Sequence, residues 1–158
     1  MRRVFLRIKL IILLLLLLFI IDRASKYFAL NKLYEKGVYF FEYFQLQLQT
    51  NSGIAFGIYL PKLLIIILIN IIILFIFFYF LKSIKKEEYS NTFLLGLIII
   101  GAISNLLDRI IYKEVIDFVQ ISIFPIFNLA DVYISVGVIS FLIINIKKDP
   151  EKNILRVL

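Results

Sequence analysis

Apolar residues along this chain gather in four long runs instead of recurring at the spacing of a soluble core. The first reaches from about Val4 to Ile21, and the second from Leu63 to Leu81, broken only by Asn70. The third runs from Phe93 to Leu107 and the fourth from Val132 to Ile146. A helix that crosses a bilayer needs about 20 apolar residues. The last two runs reach that length only by recruiting Asp108-Arg109-Ile110-Ile111 and Asn128-Leu129-Ala130-Asp131. The pattern therefore predicts transmembrane helices at about 4–22, 61–81, 92–111 and 129–146, with charge at the edge of the hydrocarbon. A different period appears between the first two. Phe44-Gln45-Leu46-Gln47-Leu48-Gln49 alternates like a strand, and Asn51-Ser52-Gly53 reads as a turn. This predicts a β-like segment at about 38–57 whose apolar side faces lipid or substrate, or which caps the bundle as an edge strand. Val115 to Ile123 is a second extended piece, ending before Pro125.

Composition sharpens this reading. The chain has 158 residues, 62% of them hydrophobic, and a mean hydropathy of +0.98, which suits a single membrane domain over 1–158. The first run is not read as a cleavable signal peptide, because Asp22-Arg23 follows it without a small-x-small pattern. The net charge of +7 does not point to nucleic acid, because the basic residues flank the apolar runs and form no patch. They favour one side of the membrane: Arg2, Arg3, Arg7 and Lys9 precede the first run, Lys82, Lys85 and Lys86 follow the second, and Lys147, Lys148, Lys152 and Arg156 follow the fourth. The positive-inside rule then predicts cytoplasmic termini. Asp22, Asp108, Asp117 and Asp131 all fall on the outer face. The expected fold class is membrane all-α, a four-transmembrane-helix bundle with a small extracytoplasmic β-sheet and loop region.

Residue types restrict the chemistry. Without Cys there is no thiolate nucleophile, and without His the usual general base and commonest metal ligand are missing. Carboxylates beside a bilayer are costly unless partnered or functional. Asp131 has a structural explanation: with Asn128 as N-cap it stands at the third helical position, worth about 0.3–1 kcal/mol against the helix dipole. Asp22 and Lys26 form an i,i+4 pair, worth a few tenths of a kcal/mol if exposed. Asp117, between Val115-Ile116 and Phe118-Val119, has no helix end to explain it. Two nearby carboxylates share a proton, so one can activate water while the other polarises a carbonyl. Ser25-Lys26 diverge on a helix, and Ser104 has no Lys at i±4, so no Ser/Lys pair stands out. No metal-ligand spacing appears either.

Five blocks resemble the lipoprotein signal peptidases, or signal peptidase II, and span most of the chain. They are Asp22-Arg23-Ala24-Ser25-Lys26, Asn51-Ser52-Gly53-Ile54-Ala55-Phe56-Gly57, Gly101-Ala102-Ile103-Ser104-Asn105-Leu106-Leu107-Asp108-Arg109, Val115-Ile116-Asp117-Phe118 and Phe127-Asn128-Leu129-Ala130-Asp131. The resemblance implies an aspartyl endopeptidase of the bacterial inner membrane, active at its extracytoplasmic face. Such enzymes remove signal peptides from prolipoproteins, cutting before a cysteine that carries a diacylglyceryl group. It implies Asp117 and Asp131 as the catalytic pair. Asn51, Gly53, Asn105, Asp108, Arg109 and Asn128 then line or brace the site, and Asp22 and Lys26 support the outer end of the first helix. The implied partners are diacylglyceryl-modified prolipoproteins and membrane lipid, with no nucleic acid, metal or cofactor, for a chain acting as a monomer. The rival from another class is a small transporter using aspartates as ion sites. Those usually lie near the bilayer midplane, whereas these cluster at one end.

Overall fold

The computed structural model describes residues 2–34, 37–53, 61–122 and 124–148. Four helices, α1 (Arg2–Lys32), α2 (Lys62–Lys85), α3 (Tyr89–Ile111) and α4 (Leu129–Lys148), are each long and apolar enough to cross a membrane. Three strands, β1 (Val38–Phe41), β2 (Phe44–Asn51) and β3 (Val115–Ile121), form an antiparallel sheet in the order β1-β2-β3. The 54–57 part of the β-like segment, Ile123, and the basic residues Lys152 and Arg156 lie outside the described residues.

α3 is the central helix. Its side chains are mostly buried, whereas α1, α2 and α4 turn most of theirs outward. One core joins Leu15 of α1 to Leu94 and Leu97 of α3, with Tyr133 and Phe141 of α4 packed against it. Glycine permits the close approach of α3 and α4. A Cβ added at Gly101 would lie 2.6 Å from the Ala130 carbonyl oxygen, and one at Gly137 would lie 2.9 Å from that of Leu94. Small residues of this kind let apolar helices meet backbone to backbone.

α1 is longer than the apolar run at 4–22 implied. At 1.5 Å per residue its 31 residues reach about 46 Å, well beyond the ~30 Å hydrocarbon layer. Nothing between Arg23 and Lys32 breaks a helix, and this extension carries a second core. Ala29 and Leu33 meet Ile116 and Phe118 of β3, with Leu46 and Leu48 of β2 packed beside them. The alternating strand therefore packs its partly buried leucines against the α1–β3 cluster, so neither reading of it holds as expected: the leucines do not face lipid or substrate, and β2 is the middle strand of the sheet and not an edge. The reason is that Leu46, Leu48, Ile116 and Phe118 would otherwise remain in water.

A β-bulge shapes the sheet edge nearest the helices. β2 and β3 pair Leu46 with Val119 and then Gln49 with Asp117, so β2 carries an extra residue. A bulge re-aims side chains locally. Beyond it, Gln49 and Asn51 share a face with Asp117 and Val115, while Ile116 and Phe118 point to the second core.

Candidate active site

Asp117 and Asp131 are fourteen residues apart along the chain and are brought together by the return of the backbone after β3. Phe127 accepts the N–H groups of Phe118 (3.1 Å) and Val119 (2.8 Å), and its own N–H reaches the Val119 carbonyl at 3.0 Å. The segment is thus laid along β3, and Asn128 comes beside Asp117. Asn128 Nδ2 donates to Asp117 Oδ1 at 2.6 Å. The same side chain caps α4: its Oδ1 accepts the Asp131 N–H at 3.0 Å, and Asp131 Oδ2 accepts the Asn128 N–H at 3.2 Å. This reciprocal pattern is a capping box with Asp in the third position. Asn105 of α3 closes the ring, donating to Asp131 Oδ1 at 2.8 Å and accepting from Asn128 at 3.2 Å. Two amides therefore bridge two carboxyl groups.

The two carboxyls differ in surroundings. Asp131 is half-buried, whereas the Asp117 residue is only 3% exposed. Burial, reinforced by the nearby Asp131 charge, pushes the Asp117 carboxyl up from 3.8 to about 6, with the Asn128 and Asn51 amides pulling the other way. The pair opens into a cleft of about 530 Å³. Its polar floor is Asn51, Asn105, Arg109, Asp117 and Asp131, and its apolar wall includes Phe124, Ile126, Phe127 and Ile134. Arg109 leaves the last turn of α3, bonding the Gly53 carbonyl at 3.1 Å and the Asn105 carbonyl at 3.3 Å. Gly53 in turn is held by Asn51 Oδ1 at 3.0 Å. The turn read at Asn51-Ser52-Gly53 is thus tied to the end of α3.

Asp22, Lys26 and Asp108 form a different group, fully buried behind the cleft. Lys26 Nζ lies 2.6 Å from Asp108 Oδ2 and 2.7 Å from Asn105 Oδ1, but 3.5 Å from Asp22. The i,i+4 pair expected from the sequence is present but fully buried, and the closest carboxylate to the lysine comes from another helix. Asp22 instead accepts the Ala130 N–H at 2.8 Å and the Ser104 hydroxyl. Arg23 adds a bond to Asp108 at 2.6 Å, so two acids face two bases. Asp108 also accepts the Ile116 N–H at 3.4 Å. One network therefore ties α1, α3, β3 and the start of α4 together. Among the described residues, no buried side-chain nitrogen or oxygen lacks a hydrogen-bond partner.

Arg23 and Ser104 are the members that sequence reading did not single out. Ser104 has no lysine at i±4 in the sequence, yet Lys26 lies 3.5 Å away across the helix interface. The encounter is not a nucleophile–base pair. Ser104 gives its proton to Asp22, Lys26 donates to Asp108 and Asn105, and neither residue lines the cleft.

Comparisons with known proteins agree with this architecture. A family model described as signal peptidase (SPase) II matches residues 14–147. The lipoprotein signal peptidase of Clostridium tetani is 37% identical over 137 residues, covering 82% of this chain and 88% of its own length. That of Thermodesulfovibrio yellowstonii is 32% identical over 137 residues, covering 84% and 91%. Among solved structures, a bacterial membrane enzyme determined by the in meso method shares 28% identity, with a TM-score of 0.76 over 92% of each chain.

Proposed function

The chain belongs to the signal peptidase II family, and from that premise we propose that Asp117 and Asp131 are its catalytic pair. The observation that carries the proposal is the bridged arrangement Asp117–Asn128–Asn105–Asp131 at the floor of the cleft. The substrate is a prolipoprotein whose cysteine carries a diacylglyceryl group, cut on the amino side of that cysteine. Asp131, the more exposed carboxylate, takes a proton from water as the water attacks the scissile carbonyl carbon. Asp117, disposed by burial to hold a proton, donates it to the carbonyl oxygen. Substrate that displaces water from the cleft strengthens that disposition. The tetrahedral diol then collapses: the C–N bond breaks, the proton held by Asp131 passes to the leaving amine, and one diol hydroxyl returns its proton to Asp117 as the new C=O bond forms. Asn105 and Asn128 fix both carboxyls, while Arg109 and Asn51 offer donors to the peptide backbone.

The chemistry draws on no metal or cofactor, and one chain carries every group named, so we expect a monomer to act alone. The site lies at the extracytoplasmic ends of the helices, with both termini in the cytoplasm. The test is cleavage of a diacylglyceryl-modified prolipoprotein by purified, membrane-inserted Asp117→Asn and Asp131→Asn variants. Each is expected to lower kcat by at least about a thousandfold, as losing one member of an acid–base pair does. Near-normal turnover by either variant would remove that residue from the mechanism.

A further inference from the structure

A second opening lies at the other end of the bundle. α2 and α4 each pack on α3 without substantial contact between themselves, leaving a groove across α3. Phe75, Ile76, Ile98, Val138 and Leu142 line its apolar part, which encloses about 240 Å³. The groove leads to a wider mouth of about 350 Å³ bordered by Lys82, Lys86, Glu88, Asn91 and Asn145. Tyr79, Leu95 and Phe141 line both parts, so the two volumes adjoin. Asn145 lies fourteen residues beyond Asp131 on α4, or about 21 Å along the helix, so this mouth is remote from the aspartates.

The polar groups at the mouth are not equally available. Asn91 and Asn145 bond each other in both directions at 3.3 Å. Their other amide protons go to Glu88 Oε2 and to the Phe141 carbonyl, each at 2.7 Å. Lys82 and Lys86 are exposed and one helical turn apart, and among the described residues neither is in an ion pair. The open donors are thus two ammonium groups, and Glu88 has acceptor capacity beyond its bond to Asn91. We propose that this cavity binds a glycerophospholipid, with its phosphate between Lys82 and Lys86 and one acyl chain along the apolar groove. A hydroxyl or ammonium on the headgroup donates to Glu88. Charge and polarity match that ligand in order along the bilayer normal, with cations and one acceptor at the helix ends and hydrocarbon beneath. From Lys82 to Phe75 is about 10 Å along α2, enough to hold the upper part of a chain. Basic pockets between transmembrane helices hold anionic lipid headgroups.

Native mass spectrometry of the full-length protein in detergent, titrated with defined lipids, tests this. Phosphatidylglycerol is expected to bind best. Phosphatidylcholine should bind more weakly because its quaternary ammonium has no proton for Glu88. Neither diacylglycerol, which lacks phosphate, nor inorganic phosphate, which lacks a chain, should displace it. A Lys82→Gln/Lys86→Gln variant should bind phosphatidylglycerol at least about tenfold more weakly. A Lys9→Gln/Lys85→Gln variant, which removes the same charge from exposed positions outside the mouth, should bind it almost unchanged. Equal losses in both variants would mean diffuse surface attraction, and diacylglycerol binding as tightly as phosphatidylglycerol would mean a merely greasy groove. Either result, or undiminished binding by the Lys82→Gln/Lys86→Gln variant, overturns the proposal.

Discussion

Asp117 is a carboxyl that the fold prefers neutral. Its pKa is raised from 3.8 to about 6, so the folded protein binds its proton more tightly than the unfolded chain does. The stabilisation from that proton is complete below about pH 4 and is lost as pH rises through about 6. At pH 8 the ionised Asp117 therefore costs the fold roughly 3 kcal/mol, taking 1.36 kcal/mol per unit. Asp117→Asn keeps the shape and an acceptor for Asn128 but never ionises. It is expected to melt at a higher temperature than the parent protein at pH 8 in detergent, with the difference closing near pH 4. A variant that is inactive yet more stable is what a proton-sharing site predicts. If it were less stable at pH 8, Asp117 would instead be an anchor whose charge the fold needs.

The elements meet through groups whose removal acts in the opposite direction. Lys26 is fully buried and neutralises carboxylates from α1 and α3. Lys26→Met leaves two buried carboxylates with Arg23 as their one remaining base, and should cost about 3–5 kcal/mol, read as a lower melting temperature and reduced membrane accumulation. The α3–α4 contact can be tested separately. Gly101→Val would drive a side chain into the Ala130 carbonyl, one residue from Asp131. It should cost about 1–3 kcal/mol and lower kcat more than it raises KM, because α4 shifts beneath a site that still holds substrate. An unchanged kcat would show that the start of α4 tolerates movement. These contacts also mark what was legible in the sequence. Hydropathy located four helices, alternation located β2, and the five motif blocks contained every residue of the bridged pair. The Asp108 partner of Lys26 was not legible, because periodicity reports the face a side chain occupies and not the helix opposite. The same gap hid the roles of Arg23 and Ser104. It also left open the facing of Leu46 and Leu48, whose cover is an extension of α1 that runs past its apolar segment.

At the scale of the whole molecule, the aspartates lie where helices give way to sheet. Asp131 occupies the first turn of α4, and Asp117 sits in a strand packed on the end of α1. Around them, Tyr39, Phe40, Phe41 and Tyr43 leave the β1–β2 hairpin largely exposed. In a chain without Trp, such rings are the residues suited to the headgroup layer. A peptide bond reaches this depth readily if its chain is tethered there, and the two acyl chains of the substrate proposed above would provide the tether, because each buried methylene contributes about 0.8 kcal/mol. Anchoring also confines the scissile bond to the layer where the cleft opens, raising its effective concentration by a factor of about 10² to 10⁴. An unmodified prolipoprotein carrying the same cleavage sequence should therefore show kcat/KM at least about a hundredfold lower in liposomes. In detergent the tether no longer sets depth, so the ratio should shrink toward whatever the cleft gains from touching the lipid itself. Equal cleavage of both substrates in liposomes would mean that the site selects peptide sequence alone. The position of the dyad at the helix ends would then carry no specificity.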